Sequence, residues 1–100
     1  MTAPAPPPVS LLICDDHRLV TDALSIVIDR DPGLRMVHEP VSRPEDAIDI
    51  CREHEPQVVL MDVSFEGRMS GIEATRRIKD ERPEVAVVIL TGHPDARVLV

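Results

Sequence analysis

Three short aliphatic runs, each stopping at a residue able to do polar chemistry, constrain this chain more than any other feature. Val9–Cys14 runs into Asp15-Asp16, Val58–Met61 into Asp62, and Val85–Leu90 into Thr91. Between the runs the apolar residues change to three-and-four spacing. Leu19, Val20, Ala23, Leu24, Val27 and Ile28 predict a helix over His17–Arg30, which Asp31-Pro32-Gly33 stops. Leu34–Glu39 reads as a weaker strand. Ser42 with Glu45, and Ser70 with Glu73, have the three-residue offset of a capping box, so two further helices are expected to start there. They close at Pro56 and Pro83. His93-Pro94-Asp95 leads into a fourth helix, with proline tolerated in its first turn. The order β-α-β-α-β-α-β-α implies right-handed crossovers and a parallel sheet with helices on both faces. Strands that are aliphatic throughout fit burial on both sides.

One hundred residues suffice for one small domain, and the four prolines within Met1–Pro8 mark a tail outside it, leaving 9–100 for the fold. Phe65 is the only aromatic, so the core must be built from Leu, Ile, Val, Met and Ala. The net charge of -7 argues against nucleic-acid binding by this segment, because phosphate contacts need clustered Lys and Arg. The nearest such cluster, Arg76, Arg77 and Lys79, reads as a solvated helix face. No apolar stretch is long enough for a membrane span, and no secretory leader is visible, which makes the cytoplasm the expected location. Cys14 and Cys51 do not form a disulfide or zinc pattern.

In an open parallel sheet, ligands bind beyond the carboxyl ends of the strands. If the strands ending at Asp15-Asp16 and at Asp62 are neighbours, three carboxylates converge. Their mutual repulsion is relieved by a divalent cation, and hard oxygen ligands suit Mg2+. A carboxylate can also take a phosphoryl group as an aspartyl phosphate. Asp62 is the better nucleophile because it ends the central strand, which leaves Asp15 and Asp16 to hold the metal. Thr91 is placed to bond a phosphoryl oxygen and so to couple chemistry to loop movement. Each residue also has a plainer reading: Asp after a strand favours turns, Asp16 can cap the first helix, and Thr91-Gly92 can be a turn. His17 reads as a first-turn helix residue and His93 as a solvated loop residue. The coincidence of all three strand ends favours the chemical reading.

The segments Leu11-Leu12-Ile13-Cys14-Asp15-Asp16-His17, Val58-Val59-Leu60-Met61-Asp62, Ser70-Gly71-Ile72-Glu73-Ala74-Thr75-Arg76-Arg77-Ile78 and Val87-Val88-Ile89-Leu90-Thr91 together resemble the receiver domain of two-component response regulators. The subgroup they resemble most carries a LuxR-type helix-turn-helix output domain. The resemblance spans nearly all of 9–100. It implies a flavodoxin-like doubly wound sheet of order 2-1-3-4-5, with Mg2+ held by Asp15, Asp16, Asp62 and the backbone carbonyl of Ser64. It further implies phosphorylation of Asp62 by a sensor histidine kinase, a switching hydroxyl at Thr91, and control of transcription through an output domain beyond this chain. Such a module is a phosphoacceptor switch, with at most self-phosphorylation and self-dephosphorylation, rather than a turnover enzyme.

Two departures stand out. The loop Val63-Ser64-Phe65-Glu66-Gly67-Arg68-Met69-Ser70-Gly71 lacks the family's Met-Pro pair, is one residue longer, and adds Glu66. The family's fifth strand, its phosphate-binding Lys and its last helix have no counterpart before Val100. On that reading the Val85–Leu90 strand has an open edge, an association hazard that a homodimer would cover. Two other classes compete. A phosphate-metabolising enzyme with an aspartyl intermediate would need a carboxylate at position 64, where Ser stands. A pseudo-receiver acting only as an interaction module would have no need of the complete Asp15, Asp16, Asp62 and Thr91 set.

Overall fold

The computed structural model describes residues 4–65, 67, 69–90 and the backbone of 97–99. Residues 4–8 are exposed and carry no regular structure. The elements that follow are β1 (Val9–Cys14), α1 (Arg18–Arg30), β2 (Leu34–Met36), α2 (Pro44–His54), β3 (Val58–Asp62), α3 (Gly71–Glu81), β4 (Ala86–Leu90) and β5 (Arg97–Leu99). They form one sheet of order β2-β1-β3-β4-β5, the first four strands parallel. The doubly wound parallel architecture read from the sequence is therefore present. β1 and β3, the strands whose ends carry the acids, are direct neighbours.

The last strand departs from expectation. In place of a helix after Pro94, Arg97–Leu99 pair antiparallel with Val87–Ile89 of β4. Its direction is opposite to that of the parallel fifth strand which the resemblance implies. It does cover the β4 edge, so the contact expected from another chain is made over these residues by the same chain. An edge strand offers unpaired N–H and C=O groups to any extended segment within reach. Arg97-Val98-Leu99 includes a β-branched residue suited to that role.

Helix starts divide two ways. Ser70 caps α3, its Oγ accepting the Glu73 N–H at 3.1 Å, which is half of a capping box. Ser42 does not cap α2. Pro44 fixes the first helical position, so the cap falls on Arg43, whose side chain has no acceptor and instead pairs with Glu45 at 3.0 Å. α2 ends at Glu55 in the left-handed region (φ 47°), just before Pro56. β2 is shorter than expected. Beyond it the chain returns to β1 at a single bridge between Cys14 and Val41, where the Asp15 N–H donates to the Val41 carbonyl at 3.0 Å.

The core is unequal on the two faces. Under α2 and α3, Leu12, Cys14, Val59, Met61, Val87 and Ile89 pack against Ala47, Cys51, Ala74 and Ile78, all buried. Among the described residues the other face is covered by α1. There Leu11, Ile13 and Ile28 form a smaller buried group, flanked by half-buried Leu24, Val58 and Leu60. Burial on both faces, expected for every strand, holds for β1 but not for β2; β4 alternates between buried and half-buried, as does β3 up to its buried last pair, Met61 and Asp62. Of the α1 stripe only Leu24 and Ile28 turn to the sheet, while Leu19, Val20 and Val27 are exposed.

Candidate functional site

The parallel register pairs Cys14 with Met61, so the next residues on β1 and β3, Asp15 and Asp62, emerge side by side. Both are buried, Asp15 at 5% and Asp62 at 8% exposure, whereas Asp16 is exposed. One side-chain donor atom from each of Asp15, Asp16, His17 and Asp62 lies within 4.8 Å of all the others. The three acids predicted to converge do so.

Two of the carboxylates, those of Asp15 and Asp62, are oriented by backbone. Asp15 Oδ1 accepts the His17 N–H at 2.8 Å, closing a two-residue turn that starts α1. His17, not Asp16, is the helix cap, and its ring makes no capping bond. Asp62 Oδ1 accepts the Val63 N–H at 2.8 Å. Its Oδ2 is buried and, among the described residues, has no hydrogen-bond partner. A buried acceptor left unmatched is uncommon and costs free energy, so it points toward a ligand.

The charge pattern agrees. Desolvation, followed by the nearby Asp15 charge, raises the pKa of Asp62 above the usual carboxylate value, against the lowering effect of the Val63 and Ser64 N–H groups and of His17. His17 Nδ1 lies 2.7 Å from Asp15 Oδ1, 3.3 Å from Asp16 Oδ1 and 3.5 Å from Asp62 Oδ2. Its pKa is raised, first by the hydrogen bond to Asp15 and then by the charge on that residue.

Ser64 lies exposed in the β3–α3 loop, with its N–H toward Asp62. Thr91, Glu66 and His93 lie outside the described residues. Cys14 and Cys51 are buried free thiols; burial pushes Cys14 well above the ordinary thiol range and Cys51 up to about 11, which leaves both poor nucleophiles and metal ligands.

Two residues carry more of this site than the sequence indicated. His17 begins the helix as its cap, and its direct succession to Asp15-Asp16 is the sequence signal for its place in the cluster. Gly71, first residue of α3, lies against the Asp62 backbone: a Cβ there would stand 1.8 Å from the Asp62 carbonyl oxygen. Its N–H donates to the Val63 carbonyl at 3.1 Å. Glycine directly after a capping Ser was the corresponding signal.

With acids at the ends of two adjacent strands of a parallel α/β sheet, the chain also matches a family model, that of the response regulator receiver domain, over residues 11–100. The chain belongs to the response regulator receiver family. Receiver domains act in two-component regulation as signalling switches. The response regulator UvrY of Escherichia coli (strain K12) is 37% identical over 87 residues, covering 87% of this chain and 39% of that protein. The response regulator GacA of Pseudomonas aeruginosa is 36% identical over 83 residues, covering 83% and 38% respectively. A two-component response regulator of the LuxR family from Aurantimonas sp. SI85-9A1 superposes with a TM-score of 0.74 at 30% identity, covering 86% of this chain and 60% of that one. The receiver domain thus spans about two-fifths of the length of these curated relatives. Among the described residues no helix is long and apolar enough to cross a membrane.

Proposed function

We propose that this receiver domain is a Mg2+-dependent phosphoacceptor switch that takes a phosphoryl group on Asp62 from a partner histidine kinase. Residues 9–100 form the switching unit and 1–8 a tail. It works in the cytoplasm and passes its state to a transcriptional output domain of the helix-turn-helix kind. The observation that carries the reading is the free Asp62 Oδ2, buried beside two further carboxylates while its sister oxygen is held by the Val63 N–H.

The donor set suits a hard divalent cation. Asp15, Asp16 and one oxygen of Asp62 would hold it, with the carbonyl of Ser64 as a backbone ligand. Mg2+ bound there neutralises charge on the phosphoryl oxygens. The other work falls to the chain. Val63 N–H fixes the rotation of the Asp62 carboxylate, so that Oδ2 keeps an available lone pair. Desolvation makes that oxygen more basic, and hence a better nucleophile. In the transfer a bond forms between Asp62 Oδ2 and phosphorus. The bond from phosphorus to the kinase imidazole nitrogen breaks, its electron pair stays on that nitrogen, and a proton is taken up there. The Thr91 hydroxyl then donates to a phosphoryl oxygen, which draws the segment after β4 toward the site.

Incubation of the purified chain with a small phosphodonor and Mg2+, followed by intact-mass measurement, tests this. Wild type should gain the mass of one phosphoryl group and Asp62→Asn none. No gain in wild type would leave an interaction module in place of a phosphoacceptor.

A further inference from the structure

The His17 ring is not explained by the helix it begins. Helix caps favour Ser, Thr, Asp and Asn, whose oxygens accept from the first turn, and the imidazole makes no such bond. It is directed into the acid cluster instead, and three carboxylate oxygens surround Nδ1 at 2.7, 3.3 and 3.5 Å. In a six-coordinate shell with metal–ligand bonds near 2.1 Å, adjacent donor atoms are about 3 Å apart and opposite ones about 4 Å. The distances from His17 Nδ1 to the three carboxylate oxygens lie around the adjacent-donor value. The backbone of His17 is already pinned: its N–H bonds Asp15 Oδ1, and its carbonyl accepts from Val20 and Thr21. Only the side-chain torsions of a largely exposed ring need adjust. The cluster also contains Asp62 Oδ2, which is buried and, among the described residues, has no hydrogen-bond partner, an acceptor that calls for a ligand.

We propose that His17 Nδ1 is an additional protein ligand of the cation site made by Asp15, Asp16 and Asp62, and that it shifts the preference of that site from Mg2+ toward later first-row divalent ions such as Co2+ and Zn2+. This rests on the metal site of the function proposed above. Carboxylate and carbonyl oxygens alone suit Mg2+, whereas imidazole nitrogen suits the later transition ions, which bind it more tightly along the series. His17 therefore gives this receiver domain a response to transition-metal supply.

The test compares Mg2+ and Co2+ binding by calorimetry, with the visible Co2+ bands as a second readout, in wild type and in His17→Ala, His17→Gln and Asp62→Asn. His17→Ala should weaken Co2+ binding by roughly tenfold or more while changing Mg2+ affinity less than about threefold. His17→Gln should follow His17→Ala for Co2+. Because His17 is exposed and makes no capping bond, these variants should keep the wild-type circular dichroism spectrum. The Co2+ bands assigned to this site should also vanish in Asp62→Asn, which separates it from the His38–His54 ring pair elsewhere on the surface. Equal loss of both metals, or no change in either, would overturn the proposal. So would tighter binding of both metals in His17→Ala, which would make the imidazole a competing internal cation. Absence of any binding to wild type would bring down the metal site itself, a separate failure.

Discussion

Gly71 and Asp62 are in backbone contact: a Cβ on the first residue of α3 would lie 1.8 Å from the carbonyl oxygen at the end of β3. The contact sets the approach of the helix to the strand carrying the candidate phosphoacceptor. Gly71→Ala must move one or the other. Overpacking of this kind typically costs about 1–3 kcal/mol, and a contact with backbone belongs at the upper end. Urea denaturation should show a loss near that limit, with weakened Mg2+ binding at any residual stability. An unchanged midpoint would mean the strand–helix contact is looser than described.

The charge at Asp62 opposes folding. Its pKa is raised in the folded chain, first by desolvation and then by Asp15. A group shifted in this direction stabilises the fold fully below its unfolded pKa and loses that contribution as pH rises through the folded value. At neutral pH the carboxylate is therefore a cost. Asp62→Asn in EDTA should be more stable than wild type by about 1 kcal/mol, through removal of the charge that burial and Asp15 disfavour. For a domain of this size that is roughly 4–8 °C in melting temperature. The advantage should shrink as pH is lowered through the carboxylate range. A less stable Asp62→Asn at neutral pH would contradict this.

Divalent cation should reverse the order. A ligand that binds only the folded state stabilises by about 2.7 kcal/mol at one hundred times its Kd. Mg2+ should raise the wild-type melting temperature accordingly, EDTA should remove the gain, and Asp15→Asn and Asp62→Asn should respond much less. The readout is a thermal scan at several Mg2+ concentrations. Equal responses in all three proteins would place the cation elsewhere.

Ser42 and Ser70 share the same sequence signature but not the same role. Ser70→Ala removes an Oγ bond to the Glu73 N–H and should cost about 1 kcal/mol. Ser42→Ala removes no cap and, at an exposed position, should stay within about 0.5 kcal/mol of wild type. Comparable losses in the two variants, measured by chemical denaturation, would contradict the assignment of the caps.

Periodicity and strand-end chemistry made most of this legible in advance. Alternating aliphatic runs and helical stripes identified β1, β3, β4 and the three helices, because burial forces those spacings. The meeting of Asp15, Asp16 and Asp62 followed from β1 and β3 lying together. What escaped depended on contacts the pattern does not encode. Pro44 overrode the Ser42 cap through its fixed backbone torsion. The pairing of Arg97–Leu99 with β4 depended on an available strand edge rather than on local spacing. The α1 stripe is narrower than its spacing suggests, because Leu19, Val20 and Val27 are exposed. His17 escaped because a residue that begins a helix was not expected to aim its ring at three acids.

The central claim is that one oxygen, Asp62 Oδ2, accepts the phosphoryl group. An acyl phosphate is reduced by borohydride to an alcohol, leaving homoserine where the modified aspartate stood. Phosphorylation with a small donor and Mg2+, borohydride reduction and peptide mass mapping should place homoserine at position 62 and nowhere else. Homoserine at 15 or 16, or none in a protein that has gained phosphoryl mass, would contradict the account.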